Sequence, residues 1–234
     1  MTDLSHIMVL GSTQFGKTTW CNDLHVRWPP FDAHEGRRVP RYSVFVDYKG
    51  VDPLWGARIR TLQPLSAALL HGQKLVYEPP RRADDVAWEE ADRDLLHLWS
   101  EVQARARRTH WSSQNDPWIQ LIVDEADKWE GTYIGQDGKQ RRHPSTLQDM
   151  ASRGLGLGLR LVYVTQHPAG ISPKTRNNLT QRVVFGLGDE GRRCIQAWGW
   201  PWQAIDRHTR RPHYFATSTR DGWTFHAPRP RPVI

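Results

Sequence analysis

The eight residues Gly11-Ser12-Thr13-Gln14-Phe15-Gly16-Lys17-Thr18 constrain this chain more than any other stretch. They complete the pattern G-x-x-x-x-G-K-[ST] directly behind an apolar run that ends at Leu10. Between the two glycines the backbone must wrap tightly enough for several N–H groups to converge on one anion. Lys17 can then reach the β- and γ-phosphates of a nucleotide, and the Thr18 hydroxyl can ligate Mg²⁺. Trp20, Leu24 and Trp28 follow at helical spacing, so a helix is expected to open with its positive end on the phosphates, with Thr19 in its first turn. Strand, loop and helix in this order predict a phosphate-binding α/β unit.

Apolar runs bounded by turn residues recur at 5–10, 42–46, 74–77, 118–123, 159–164 and 182–185. They are short, continuous and rich in Val, Ile, Leu and Tyr, as strands buried on both faces should be. Residues 84–110 carry Trp88, Ala91, Leu95, Leu98, Trp99, Val102 and Ala106 at spacings of three and four, with an acidic start and a basic end. That pattern predicts a long amphipathic helix aligned with its own dipole. Strands alternating with helices imply a mainly parallel sheet covered on both faces. Residues 213–219 and 223–227 flank Arg220-Asp221-Gly222 and read as a small C-terminal β-hairpin. The expected organisation is one domain over residues 1–227, then an extended Pro/Arg tail at 228–234.

No apolar run nears the length of a membrane span, and the N-terminus lacks the charge and hydropathy of a secretion signal. The expectation is a protein that neither inserts in a membrane nor is exported. Cys21 and Cys194 have no paired spacing and read as reduced structural thiols, and the eleven histidines show no metal-ligand spacing. Net charge is +7, carried by 26 arginines against six lysines. Arginine forks phosphate bidentately, so the surplus suits a polyanionic partner; a compositional bias toward arginine gives the same count.

Two further motifs extend the chemistry. Leu121-Ile122-Val123-Asp124-Glu125 is a buried strand ending in two acids. Beside a phosphate loop, Asp124 would hold Mg²⁺ and Glu125 would polarise a water for attack on the γ-phosphate. Asp127 lies further along and reads as a helix cap or surface charge. Leu161-Val162-Tyr163-Val164-Thr165-Gln166 is a strand with a polar tip, and Gln166 there could touch both the γ-phosphate and the attacking water.

The three motifs in this order resemble the FtsK/HerA superfamily of ring-forming P-loop translocases. Val44-Phe45-Val46-Asp47-Tyr48-Lys49-Gly50 is similar to that family's strand followed by Asp-Pro-Lys-Gly, with Tyr48 where Pro is usual. Ser152-Arg153-Gly154-Leu155-Gly156-Leu157 and residues 172–185 are similar to the stretches around its Gln strand. The likeness covers roughly residues 5 to 200. It implies a RecA/FtsK-like P-loop NTPase fold, ATP and Mg²⁺ as cofactors, and a homo-oligomeric, hexameric ring acting on double-stranded DNA. In such rings an arginine from one subunit completes the neighbour's site; Arg153 is the first choice here, then Arg182 and Arg176.

The bare core looks most like the genome-packaging ATPases of tailless icosahedral viruses with internal membranes. That likeness implies a place in the host cytoplasm or at a packaging vertex, next to capsid or membrane proteins. A cellular or conjugative translocase or helicase, or a nucleoside or nucleotide kinase, remains the alternative. Residues 129–145 are polar, basic and Gly-rich, and read either as a DNA-gripping loop through Lys139, Arg141 and Arg142 or as a surface excursion. The run Trp198-Gly199-Trp200-Pro201-Trp202 reads as a core edge or subunit contact rather than a base-stacking platform.

Overall fold

The computed structural model describes residues 5–34, 37–50, 54–83, 85–110, 116–129, 132–134, 140–142, 146–219 and 222–228. Its centre is a nine-stranded sheet built from β1 (Ile7–Leu10), β2 (Tyr42–Val46), β3 (Ala57–Ile59), β4 (Lys74–Tyr77), β5 (Ile119–Val123), β6 (Leu159–Thr165), β7 (Gln181–Val184), β8 (Phe215–Thr219) and β9 (Gly222–His226). The strand order is β9-β8-β7-β1-β6-β5-β2-β4-β3. The seven strands from β7 to β3 run parallel, and β8 and β9 add an antiparallel hairpin at one edge.

Both faces are covered, which explains the unbroken apolar runs. Along β1, Ile7 and Val9 enter a core with Trp20 and Cys21 of the helix α1 (Lys17–Arg27). Met8 and Leu10 enter the opposite core, beside α2 (Trp88–Thr109), α3 (Thr146–Arg153), α5 (Asp189–Ala197) and α6 (Trp202–Thr209). The short helix α4 (Pro173–Asn178) precedes β7, its first turn held by the Ser172 hydroxyl, which accepts the Thr175 N–H. The apolar stripe read from the sequence faces inward, with Ala91, Leu95, Leu98, Trp99, Val102 and Ala106 all buried. Helix α2 begins at Trp88 rather than at residue 84, because Asp85–Val86 pair with Arg81–Arg82 and the Ala87 N–H bonds to Pro80 O.

Three small two-stranded ribbons escape the sequence reading: Arg81–Arg82 with Asp85–Val86, Phe31–His34 with Arg37–Pro40, and Thr132–Ile134 with Gln140–Arg142. The last falls in the segment expected to be too polar to pack, and Trp129 at its foot is buried. The tryptophan run sits at a core edge, as expected: Trp200 is buried and meets the rings of Trp198 and Trp223. Among the described residues no helix is long and apolar enough to cross a membrane. All but the first residue of the Pro/Arg tail lie outside them.

Two histidines are built into this frame as neutral rings. His6 accepts the Leu161 N–H through Nδ1 at 2.9 Å, tying the start of β1 to β6. His25 places Nδ1 2.7 Å from the Ser43 hydroxyl, pinning α1 to β2. Burial, then nearby cations, lower each to about pKa 4. With folded values below the ordinary one, the unfolded chain takes up protons first. The stability they contribute is full above pH 6.5 and is lost as pH falls toward 4, by about 2 kcal/mol per ring at pH 5. Denaturant melts of His25→Gln should therefore lose about 2 kcal/mol less than wild type between pH 7 and pH 5. An equal loss would show that His25 carries none of the acid sensitivity.

Candidate nucleotide site

The register of the parallel strands brings the motifs together. Leu10 lies opposite Thr165, while Val123 lies opposite both Tyr163 and Val46. The residues that follow these strands (Gly11, Asp47, Asp124 and Gln166) therefore emerge along one edge of the sheet, the edge where ligands bind in open α/β folds.

The phosphate loop is clamped from outside. Ser12 N–H donates to Gly186 O at 2.7 Å, and His213 N–H donates to Phe15 O at 3.0 Å. Gly16 has φ of 100°, and a Cβ there would meet His213 Nδ1 at 2.5 Å, so only glycine fits. The Ser12 amide is thus already bonded within the protein. Lys17 is buried and folds back over the loop, donating to Gly11 O at 2.6 Å and Ser12 O at 3.0 Å. Burial lowers its pKa, and Asp124 and Glu125 partly offset this. Thr18 is half-buried in the first turn of α1, and Thr19 is exposed.

Asp124 and Glu125 lie where β5 ends, both buried. Glu125 has φ of 48°, uncommon for a residue with a side chain, and the chain turns there into a short helical segment at Ala126–Trp129. Its Oε1 accepts the Gln166 amide at 2.7 Å, and Gln166 Oε1 in turn accepts the Thr13 hydroxyl at 2.7 Å. A continuous chain of hydrogen bonds thus runs from the loop through the tip of β6 to the end of β5. Glu125 Oε2 and Asp124 Oδ2 are buried with no hydrogen-bond partner. Burial raises Asp124 to about pKa 6, against the lowering effect of Lys49.

Lys49 was not singled out from the sequence, yet it completes the charge set. Its Nζ lies 3.2 Å from Glu125 Oε1 and 3.8 Å from Asp124 Oδ2. The Asp-x-Lys-Gly stretch after β2 was the available signal, and what hid the role was that β2 neighbours β5 although 73 residues separate Val46 from Ile119. Asp127 needs correction: it is buried, not a surface charge, and accepts the Thr165 hydroxyl.

The group implied by the motifs fits. Among the described residues no three His, Cys, Asp or Glu side chains cluster as a metal cage. A hard ion that keeps several waters and binds through one or two carboxylates plus phosphate oxygens suits the Thr18 hydroxyl and the unbonded Asp124 Oδ2.

The arginines chosen from the sequence lie elsewhere. Arg153 ends α3 beside Gly154, whose carbonyl bonds the N–H of Leu159 at the start of β6. It is therefore at the strand end opposite Gln166, a β6 length away. It pairs there with Asp149 through both Nε and Nη2 and lies over the Trp99 ring. Arg176 and Arg182 cover Trp198 and Trp200 on the approach to and the start of β7. None of the three reaches the phosphate loop of its own chain. Lys139 lies outside the described residues, and Arg141 and Arg142 fall on the ribbon strand Gln140–Arg142.

No family model and no curated protein matches the sequence. Solved structures do. The genome packaging NTPase B204 from Sulfolobus turreted icosahedral virus 2, in complex with sulfate, is 18% identical with a TM-score of 0.63, over 99% of this chain and 100% of that one. The pCW3 conjugation coupling protein TcpA is 14% identical with a TM-score of 0.60, over 94% of this chain and 59% of that one. Thermomonospora curvata EccC (ATPases 2 and 3) is 20% identical with a TM-score of 0.56, over 98% and 38%. The chain shares the fold of these structures, a mostly parallel α/β sheet covered by helices on both faces.

The contact of Lys49 with the acid pair gives a direct test. Lys49→Met should destabilise the protein by about 1–2 kcal/mol, less than for a fully buried pair because Lys49 is partly exposed. Adding Asp124→Asn should recover about half of that loss, a coupling read by a double-mutant cycle in urea. Strictly additive changes would show that Lys49 and Asp124 do not interact.

Proposed function

We propose that this protein is an Mg·ATP-hydrolysing, DNA-translocating motor that packages a viral genome as a homo-oligomeric, hexameric ring. The observation that carries the reading is the hydrogen-bonded path Thr13–Gln166–Glu125 laid across the mouth of the phosphate loop. A plain phosphate-binding site has no need of it. A hydrolase does, because water must be aligned with the γ-phosphorus and deprotonated there.

In this reading Lys17 leaves its carbonyl partners for the β- and γ-phosphate oxygens. Thr18 and Asp124 would hold Mg²⁺, whose chemistry there is the neutralisation of phosphate charge. Glu125 takes the proton of the attacking water as the new P–O bond forms and the bond to the β-phosphate oxygen breaks, releasing ADP. Gln166 loses or keeps its grip on Thr13 and Glu125 according to whether the γ-phosphate is present.

Arg153 would act only on a neighbour's nucleotide, after leaving Asp149, which fits a ring with one site per subunit boundary. In this reading the motor packages, with an address in the host cytoplasm or at a capsid vertex; the likeness to the viral packaging NTPase supports packaging. The surplus of arginine, which includes Arg141 and Arg142, would with Lys139 supply charge for a DNA backbone, read by charge rather than sequence.

Phosphate release should be stimulated by double-stranded DNA, and that stimulation should fade as salt rises. Glu125→Gln should reduce turnover by about 10²–10⁴-fold while nucleotide binding persists. Turnover unchanged in Glu125→Gln would remove the assigned base. Turnover indifferent to DNA at every salt would remove the motor.

A further inference from the structure

The turn that carries Lys49 holds an aromatic residue, Tyr48, whose ring lies on Trp88, the first residue of α2. The ring centroids are 5.2 Å apart and the planes 22° from parallel. Trp88 in turn meets Trp129 edge to face, at 5.0 Å and 85°. Trp129 is buried and ends the short helical segment that follows Glu125. Three residues further on begins the ribbon of Thr132–Ile134 and Gln140–Arg142. Three rings from three separate stretches of chain therefore join the foot of the ribbon to the turn at 47–50.

These contacts close a circuit around Glu125. One arm follows the chain from Glu125 to Trp129, and within it the Lys128 N–H donates to Glu125 O at 2.9 Å. The other arm returns through Trp88 and Tyr48 to Lys49, whose Nζ lies 3.2 Å from Glu125 Oε1. Lysine carries its charge on a flexible four-carbon stem, so the ammonium is placed no more firmly than the backbone beneath it. That backbone is fixed by the Tyr48 stack, by Asp47 Oδ1 accepting the Gly50 N–H at 2.9 Å, and by Tyr48 O accepting from Arg81 Nη2. Glu125 Oε1 also accepts the Gln166 amide, so two donors meet at one carboxylate oxygen.

We propose that Tyr48 is a positioning residue which, stacked on Trp88 and through it on Trp129, couples DNA held at Arg141 and Arg142 to the place of Lys49 on Glu125. The proposal rests on the reading of Glu125 as the base of a DNA-stimulated ATPase. DNA drawn against the ribbon shifts its foot at Trp129, and the rings pass that shift to the turn at 47–50. Lys49 then draws away from Glu125 Oε1, which is left open to the attacking water. The coupling is bounded by what one aromatic pair contributes, which corresponds to about two- to tenfold in rate.

The test measures kcat and KM for ATP with and without double-stranded DNA in wild type, Tyr48→Phe, Tyr48→Leu and Tyr48→Ala, alongside the affinities for ATPγS and DNA. In Tyr48→Ala the ratio of kcat with DNA to kcat without it should fall by about two- to tenfold, with KM and both affinities unchanged. Tyr48→Phe keeps the ring and should keep the ratio. Lys49→Met should lower the same ratio, and adding Tyr48→Ala to it should lower it no further. An unchanged ratio in Tyr48→Ala would overturn the proposal, because the chain from Glu125 to Trp129 would then carry the signal alone. So would an equal loss in Tyr48→Phe, or a further fall in the double variant. Weakened ATPγS and DNA binding in both Tyr48→Ala and Tyr48→Leu would make the rings a brace for the core edge and nothing more. Wild-type turnover indifferent to DNA would instead remove the motor reading, and this coupling with it.

Discussion

Two carboxylates can persist in the dry end of a sheet only where cations meet them. Asp124 and Glu125 are buried, and the ammonium groups of Lys17 and Lys49 are the charges brought to them from the loop after β1 and the end of β2. The strands between are apolar on both faces, so they cannot screen this charge. What holds the four groups together is register: β1 and β6 end level at Leu10 and Thr165, and β2 and β5 end level with each other two residues earlier, opposite Tyr163. The set is not fully compensated, since Asp124 stays well above the ordinary carboxylate range. An incompletely neutralised acid with an unbonded oxygen is ready to accept one more cation.

The sequence made the phosphate loop, the acid pair and the Gln strand legible because each is local. A glycine pattern, a run of apolar residues and the polar tip of a strand can all be read without knowing what lies alongside. What escaped was set by strand order. Lys49 acts on residues 75 and 76 positions later because β2 and β5 are neighbours. Asp127 reads as a surface charge until the short helical turn after Glu125 tucks it against Thr165. The clamp from Gly186 and His213 is likewise invisible in one dimension. Strand β3, with Ala57-Arg58-Ile59, is too short and too polar at its centre to announce itself. Arg153 was chosen for a neighbouring subunit's site, and in its own chain it stands at the opposite end of β6 from Gln166.

The arginine surplus is only partly a polyanion signal. Arg41 and Arg160 lie over Trp28, Arg105 over Trp118, Arg176 over Trp198 and Arg182 over Trp200. A guanidinium can lie flat on an indole in a way an ammonium cannot. With twelve tryptophans in the chain, part of its arginine serves to roof large aromatic rings at the margins of the core. This use accounts for five of the 26 arginines without reference to any partner. It also means that net charge overstates the cationic surface left for a polyanion.

The clamp on the phosphate loop carries a consequence for how the molecule is made. The loop lies at residues 11–18, yet its walls are Gly186 and the turn at 211–214. Nearly the whole chain must leave the ribosome before these pieces can meet. Before residues 159–165 and 181–184 are made, β1 lacks its neighbours β6 and β7, and two apolar strand edges stand open. A premature stop ahead of residue 211 therefore yields a polypeptide with the phosphate loop, the acid pair and the Gln strand but without the turn that walls the loop at Phe15 and Gly16.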